Sequence, residues 1–206
     1  MVRCLILLAL LAGCTKPQGT ASPGTDPQKL LTGGTLVFED DFNRAELGDK
    51  WRQAGRNWRI VDGQVHAPTD KNGGLWLLEQ LPDKTRVEFD ARSEGPDGDI
   101  KCEIFAEGPT HQAGYVLIQG GWKNTLSIIA RKDEHGNDRL TSTDGLVERG
   151  RTYRWAIARD GDTLHWFIDG KLFMSYPDKA PVRGRTFGFN NWDTPLWFDN
   201  LKVYKL

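Results

Sequence analysis

Trp122 and Trp192 stand in the stretches G-G-W-K-N and F-N-N-W, where neighbours as small as glycine and asparagine leave an indole ring uncovered. An uncovered ring can stack on the C–H face of a sugar, while amides, carboxylates and guanidinium groups take the hydroxyls. Glu103, Gln119, Arg131 and Asn190 are the polar residues expected to join the two rings on one concave, polar sheet face. Gly188, two positions before Asn190, is expected to leave room there for a ligand. Trp155 and Trp166 alternate with aliphatic residues and are expected in the core. The chain has no G-x-S-x-G, no H-E-x-x-H and no glycine-rich phosphate loop. His66, His111, His135 and His165 lack the spacing of metal ligands.

Strands must position these residues. Twenty-three glycines, eight tryptophans and strand signals every eight to twelve residues suit short strands joined by tight turns. Residues 57–67 form a hairpin with Asp62-Gly63 at its tip. Residues 86–92 alternate, with Val87, Phe89 and Ala91 on one face and Arg86, Glu88, Asp90 and Arg92 on the other. Residues 100–107 repeat the pattern, so the two runs are expected to pair antiparallel with their polar faces in common, Glu88 and Asp90 being a wet face paired with Arg86 and Arg92. The last stretch, residues 196–206, alternates around Asp199 and Asn200 and needs a partner. Residues 35–42 supply one and close the sheet. The expected fold is all-β, a two-sheet antiparallel jelly-roll sandwich over residues 35–206.

Residues 1–14 carry one positive charge and an apolar run of about ten residues, which fits a signal-peptide core and is too short to span a bilayer. Leu11-Ala12-Gly13-Cys14 resembles a bacterial lipobox. Cys14 is therefore expected to be acylated and to hold the mature chain to a membrane, and Thr15 after it favours the outer membrane by analogy. Residues 14–34 are rich in Pro, Gly, Thr and Ser and read as a flexible tether. Cys102 is then the one thiol left in the mature domain. No intramolecular disulfide is possible, and Cys102 reads as a small buried residue. A net charge of −1 over 206 residues offers nothing to a nucleic acid.

The segments F-E-D-D-F, W-R-I-V-D-G-Q-V, H-W-F-I-D-G-K and F-D-N-L-K-V-Y resemble the concanavalin A-like lectin/glucanase superfamily. The closest likenesses are to laminin-G-like domains and the bacterial 3-keto-disaccharide hydrolase-like domain. The resemblance implies the sandwich and a carbohydrate or cell-envelope glycan as partner. In the glucanase branch, catalysis uses E-x-D-x-E or E-x-D-x-x-E on one strand. Here Glu88, Asp90 and Glu94 come nearest, but Glu94 falls too late, beside a turn. The resemblance also implies a structural Ca²⁺ held by Asp199 of the final strand and by backbone carbonyls near the first strand and first hairpin, at Glu39 and Gly63, hard oxygen ligands that suit the ion. The expected function is a glycan-binding or non-catalytic envelope module, the alternative a periplasmic glycoside-processing hydrolase or lyase.

Overall fold

The computed structural model describes residues 26–67 and 69–206. The signal segment, Cys14 and the first part of the tether lie outside the described residues. Fifteen strands follow in chain order: β1 (Thr35–Asp40), β2 (Trp51–Gln53), β3 (Arg59–Val61), β4 (Gln64–Ala67), β5 (Leu75–Leu77), β6 (Thr85–Ser93), β7 (Ile100–Ala106), β8 (Tyr115–Gly120), β9 (Leu126–Arg131), β10 (Leu140–Ser142), β11 (Thr152–Asp160), β12 (Thr163–Ile168), β13 (Lys171–Pro177), β14 (Thr186–Asn190) and β15 (Leu196–Lys205). They make two antiparallel sheets, ordered β13-β12-β11-β6-β15-β4-β3, with β1 also on β15, and β10-β9-β8-β7-β14-β5-β2.

The closure of the termini is as expected. β1 pairs with β15 from Thr35 opposite Lys205 to Asp40 opposite Leu201. A register shift between Asp199 and Lys202 in the pairing of β15 with β6, with Asn200 at φ 52°, bends β15. The bend lets β15 serve β4 with one half and β1 with the other.

One expected pairing is overturned. β6 pairs with β11 and β15, whereas β7 pairs with β8 and β14 in the opposite sheet. The segment 94–99 carries the chain from one layer to the other, so the apolar faces of β6 and β7 meet across the core instead of lying side by side. Phe89 of β6 is the centre of that core, with ring centroids 5.2–6.1 Å from Trp155, Phe187, Phe189 and Phe198. Trp155, Trp166 and Cys102 are fully buried, as expected. Burial pushes the Cys102 thiol pKa well up, which keeps it inert.

Glu88 and Asp90 consequently sit on the outer face of the β6 sheet. Glu88 accepts from Arg86 Nε at 2.6 Å and from Arg154 Nη2 at 2.9 Å. Asp90 accepts from Arg154 Nη1 at 3.2 Å and Asn200 Nδ2 at 2.9 Å. The expected partner Arg92 turns instead to Glu94, at 3.0 Å. The tether reading also changes at its end. Pro27–Leu31 form a 3₁₀ turn capped by Asp26, whose Oδ1 accepts from Gln28 N at 3.0 Å. Leu30 and Leu31 pack with Leu206 on Ala156, Ala158 and Phe167 of the outer face. Arg86 stays buried there by donating to the carbonyls of Leu30 and Gly33, at 2.7 and 3.1 Å. Residues 26–34 are thus part of the domain, because two leucines and a buried guanidinium hold them.

Candidate functional site

On the outer face of the β7 sheet lies a cleft of about 840 Å³ lined by Asn72, Asp97, Asp99, Lys101, His111, Trp122, Glu134 and Trp192, among others. Strand alternation builds its floor. Ile100, Cys102 and Ile104 point into the core, so Lys101 and Glu103 point outward, and Asn190 lies opposite Lys101 on β14. The walls come from turns. Trp122 stands in the tight turn Gly121–Asn124, where Trp122, Lys123 and Asn124 all have φ between 51° and 59°. Left-handed backbone costs a non-glycine residue about 1–2 kcal/mol. The Asn124 side chain holds this turn by donating to Val147 O and accepting from Val147 N, both at 2.8 Å.

Charged groups crowd the floor. Lys101 is only 1% exposed, and its Nζ donates to Asn72 Oδ1 and Glu134 Oε2, both at 3.1 Å. Asp99 Oδ1 lies 3.9 Å from the same Nζ and makes no hydrogen bond. Burial pushes the Asp99 carboxyl up to about 6 against the pull of Lys101, with Glu134 and Asp97 adding to the rise. Glu103, at 0% exposure, is saturated: Oε1 accepts from His111 Nδ1 at 2.7 Å and from Asn190 Nδ2 at 2.6 Å, and Oε2 from Gln112 N at 2.8 Å. The carboxylate thereby places a proton on Nδ1 of His111 and pins the β7–β8 loop over the sheet.

Four of the six residues expected to hold sugar come together: Trp122 and Trp192 as walls, Glu103 and Asn190 in the support beneath. Gln119 and Arg131 face the core instead. Directly opposed residues of an antiparallel pair share a face, and Gln119 opposes Ile100 while Arg131 opposes Tyr115. Gln119 Oε1 accepts from Trp155 Nε1 at 3.0 Å, and Arg131 Nε donates to Asp178 Oδ2 at 3.1 Å. The space over Gly188 is also taken. A Cβ there would meet Trp76 Cε3 at 2.6 Å, so the missing side chain makes room for a buried tryptophan, not a ligand. Trp192 is 45% exposed, with Lys71 Nζ 5.5 Å from its ring centroid. Trp122 is half-buried, with Arg139 4.8 Å away and His135 at its edge.

Sequence reading missed Asp99, Lys101, His111 and Glu134. The alternation D-I-K-C-E could have put residues 99, 101 and 103 on one face. His111 and Glu134 arrive on loops, for which no local signal exists. His66 packs on Trp197 and His165 meets Ser175 Oγ at 2.9 Å, both away from the cleft. Glu88 and Asp90, on the far sheet, cannot reach it.

The expected Ca²⁺ ligands are one carboxylate, Asp199 of β15, and two backbone carbonyls, at Glu39 of β1 and at Gly63 in the β3–β4 turn. Glu39 is exposed opposite Lys202, and Asp199 Oδ2 accepts from Gln64 Nε2 at 3.2 Å. The buried carboxylate of β1 is Asp40, already bound by Arg44 and by Trp51 Nε1 at 2.8 Å. Among the described residues no group of three or more His, Cys, Asp or Glu is placed to hold a metal.

No family model matches the chain. A carbohydrate-binding module, CBM66 of Bacillus subtilis, superposes with a TM-score of 0.61 at 15% identity, covering 76% of this chain and 96% of that one. The laminarinase catalytic domain of Thermotoga maritima superposes with a TM-score of 0.64 at 12% identity, covering 85% and 99%. The fold is a concanavalin A-like jelly roll. In sequence the chain is similar to an extracellular exo-α-L-arabinofuranosidase of Streptomyces chartreusis, 25% identical over 172 residues. That match covers 79% of this chain and 20% of the relative, so the chain spans about a fifth of it. The fold is thus one shared by glycan-binding modules and glycan-cleaving enzymes.

Proposed function

We propose that the protein is a glycan-binding module that uses the cleft between Trp122 and Trp192, and that an acylated Cys14 holds it in a bacterial envelope. The observation that carries the reading is the placement of two aromatic walls, one of them nearly half exposed, around a floor of carboxylate, ammonium and amide groups. Rings and hydroxyl-binding groups in one concavity are what a sugar needs.

The competing reading is a glycoside-processing hydrolase or lyase. A retaining glycosidase needs two available carboxyls about 5 Å apart, one of them a free nucleophile. Glu103 is buried under three donors and Glu134 is paired with Lys101, which leaves neither free to attack. Asp99, with its carboxyl pushed up to about 6, has the character of a general acid, and it is the feature that keeps hydrolysis in view. A glycan array run beside an activity assay on 3-keto-glycosides and β-glucans separates the two. Retention without turnover is expected; turnover lost in Asp99→Asn would establish the enzyme instead.

A further inference from the structure

We infer that the cleft receives the end of a glycan chain and not an internal stretch of it, an inference that rests on the glycan-binding reading. An internal segment continues in both directions, so its groove must be open at two ends. Among the described residues no such groove crosses this sheet. Beyond the cleft the outward residues Val116 and Ile128 are 0% exposed, and the floor of the cleft itself is closed beneath by Glu103 at 0% and Ile118 at 2%. On the β5 side, Trp76 lies over Gly188 and is itself 1% exposed.

The walls close the remaining directions. The sheet order β9-β8-β7-β14 puts Trp122, in the β8–β9 turn, on one flank of Lys101, and Trp192, after β14, on the other. Along the strands the way is barred by the β7–β8 loop. That loop is pinned to Glu103 through both the His111 side chain and the Gln112 backbone N–H. The floor, Lys101, is held by Glu134 from a further loop and by Asn72. A cleft walled on three sides admits a terminal sugar and its nearest neighbours, within the usual ligand-pocket range of about 300–1,000 Å³.

The test uses the intact protein with laminarin, inulin and linear arabinan, each before and after graded acid hydrolysis, and reads the protein retained per gram of glycan. End recognition predicts that the capacity of a bound polymer rises by the same factor as its number of chain ends, with one protein per chain at every length. Retention that stays constant or falls on hydrolysis would overturn end recognition while leaving glycan binding intact. Retention by none of the three polymers, with an empty glycan array, would overturn the glycan-binding reading and this inference with it. A Trp192→Ala control separates the cleft from the rest of the surface: retention that survives it would place the binding elsewhere and refute the inference.

Discussion

Replacing Glu103 by glutamine tests whether this residue organises the cleft or touches its ligand. The substitution keeps the shape of the side chain and removes one acceptor oxygen. With the amide oxygen turned toward His111 Nδ1 and Asn190 Nδ2, the amide nitrogen must face the Gln112 N–H, two donors in opposition where a 2.8 Å bond stood. A buried donor left unpaired costs about 1–3 kcal/mol. At about 2–4 °C per kcal/mol for a domain of this size, the melting temperature of Glu103→Gln should fall by about 4–8 °C for a mid-range cost of about 2 kcal/mol. Differential scanning calorimetry reads the fall, and amide exchange at Gln112 should quicken as the β7–β8 loop loosens. An unchanged melting temperature with glycan retention lost would refute the reasoning, because a residue that only contacts ligand leaves the free protein as stable as before.

Further outcomes follow from the same network and its surroundings. Asp99 keeps its proton in the folded state up to about pH 6 but loses it near 3.8 when unfolded, so folding binds a proton in between. Stability should therefore decline by roughly 2 kcal/mol as pH rises from about 4 to 6 through this group alone, and Asp99→Asn should flatten that limb in melts across the range. Phe89→Ala removes the ring on which four others converge and should cost about 3–5 kcal/mol in urea unfolding, with no change in m-value. Cys14→Ala should leave the membrane pellet for the soluble fraction, and a variant still pelleting would dismiss the lipid anchor. A structural Ca²⁺ held by Asp199 and backbone carbonyls near Glu39 and Gly63 should raise the melting temperature when Ca²⁺ is added and lower it with EDTA; a melting temperature unmoved by both would dismiss the ion.

The sandwich was legible because most strands alternate cleanly and the two termini carry complementary strands, as the β1–β15 pairing bears out. Which layer each strand joins was not. The alternation of residues 86–92 and 100–107 is the same whether they lie side by side or face each other, and only the path of residues 94–99 decides. The face of a residue was legible where one side of its strand is wet and illegible where both are dry. β8 is buried at every position, so its residues Y-V-L-I-Q-G show no period, and Gln119 was assigned to the wrong side. Arg131 fell with it, since it belongs to the neighbouring strand and the same parity. Trp122 and Trp192 were found through their small neighbours, which speak to exposure directly. His111 and Glu134 were beyond reach, because loops bring them to β7 from residues 8 and 33 positions along the chain.

The claim that a glycan lies between the two indole walls is tested most directly by affinity electrophoresis of Trp122→Ala and Trp192→Ala through gels cast with an array-identified polysaccharide. Each variant should run unretarded while melting close to the parent, the exposed Trp192 shifting least. Retardation equal to the parent's in both variants would contradict the account, as would a collapse of stability in both, which would make the two rings part of the core.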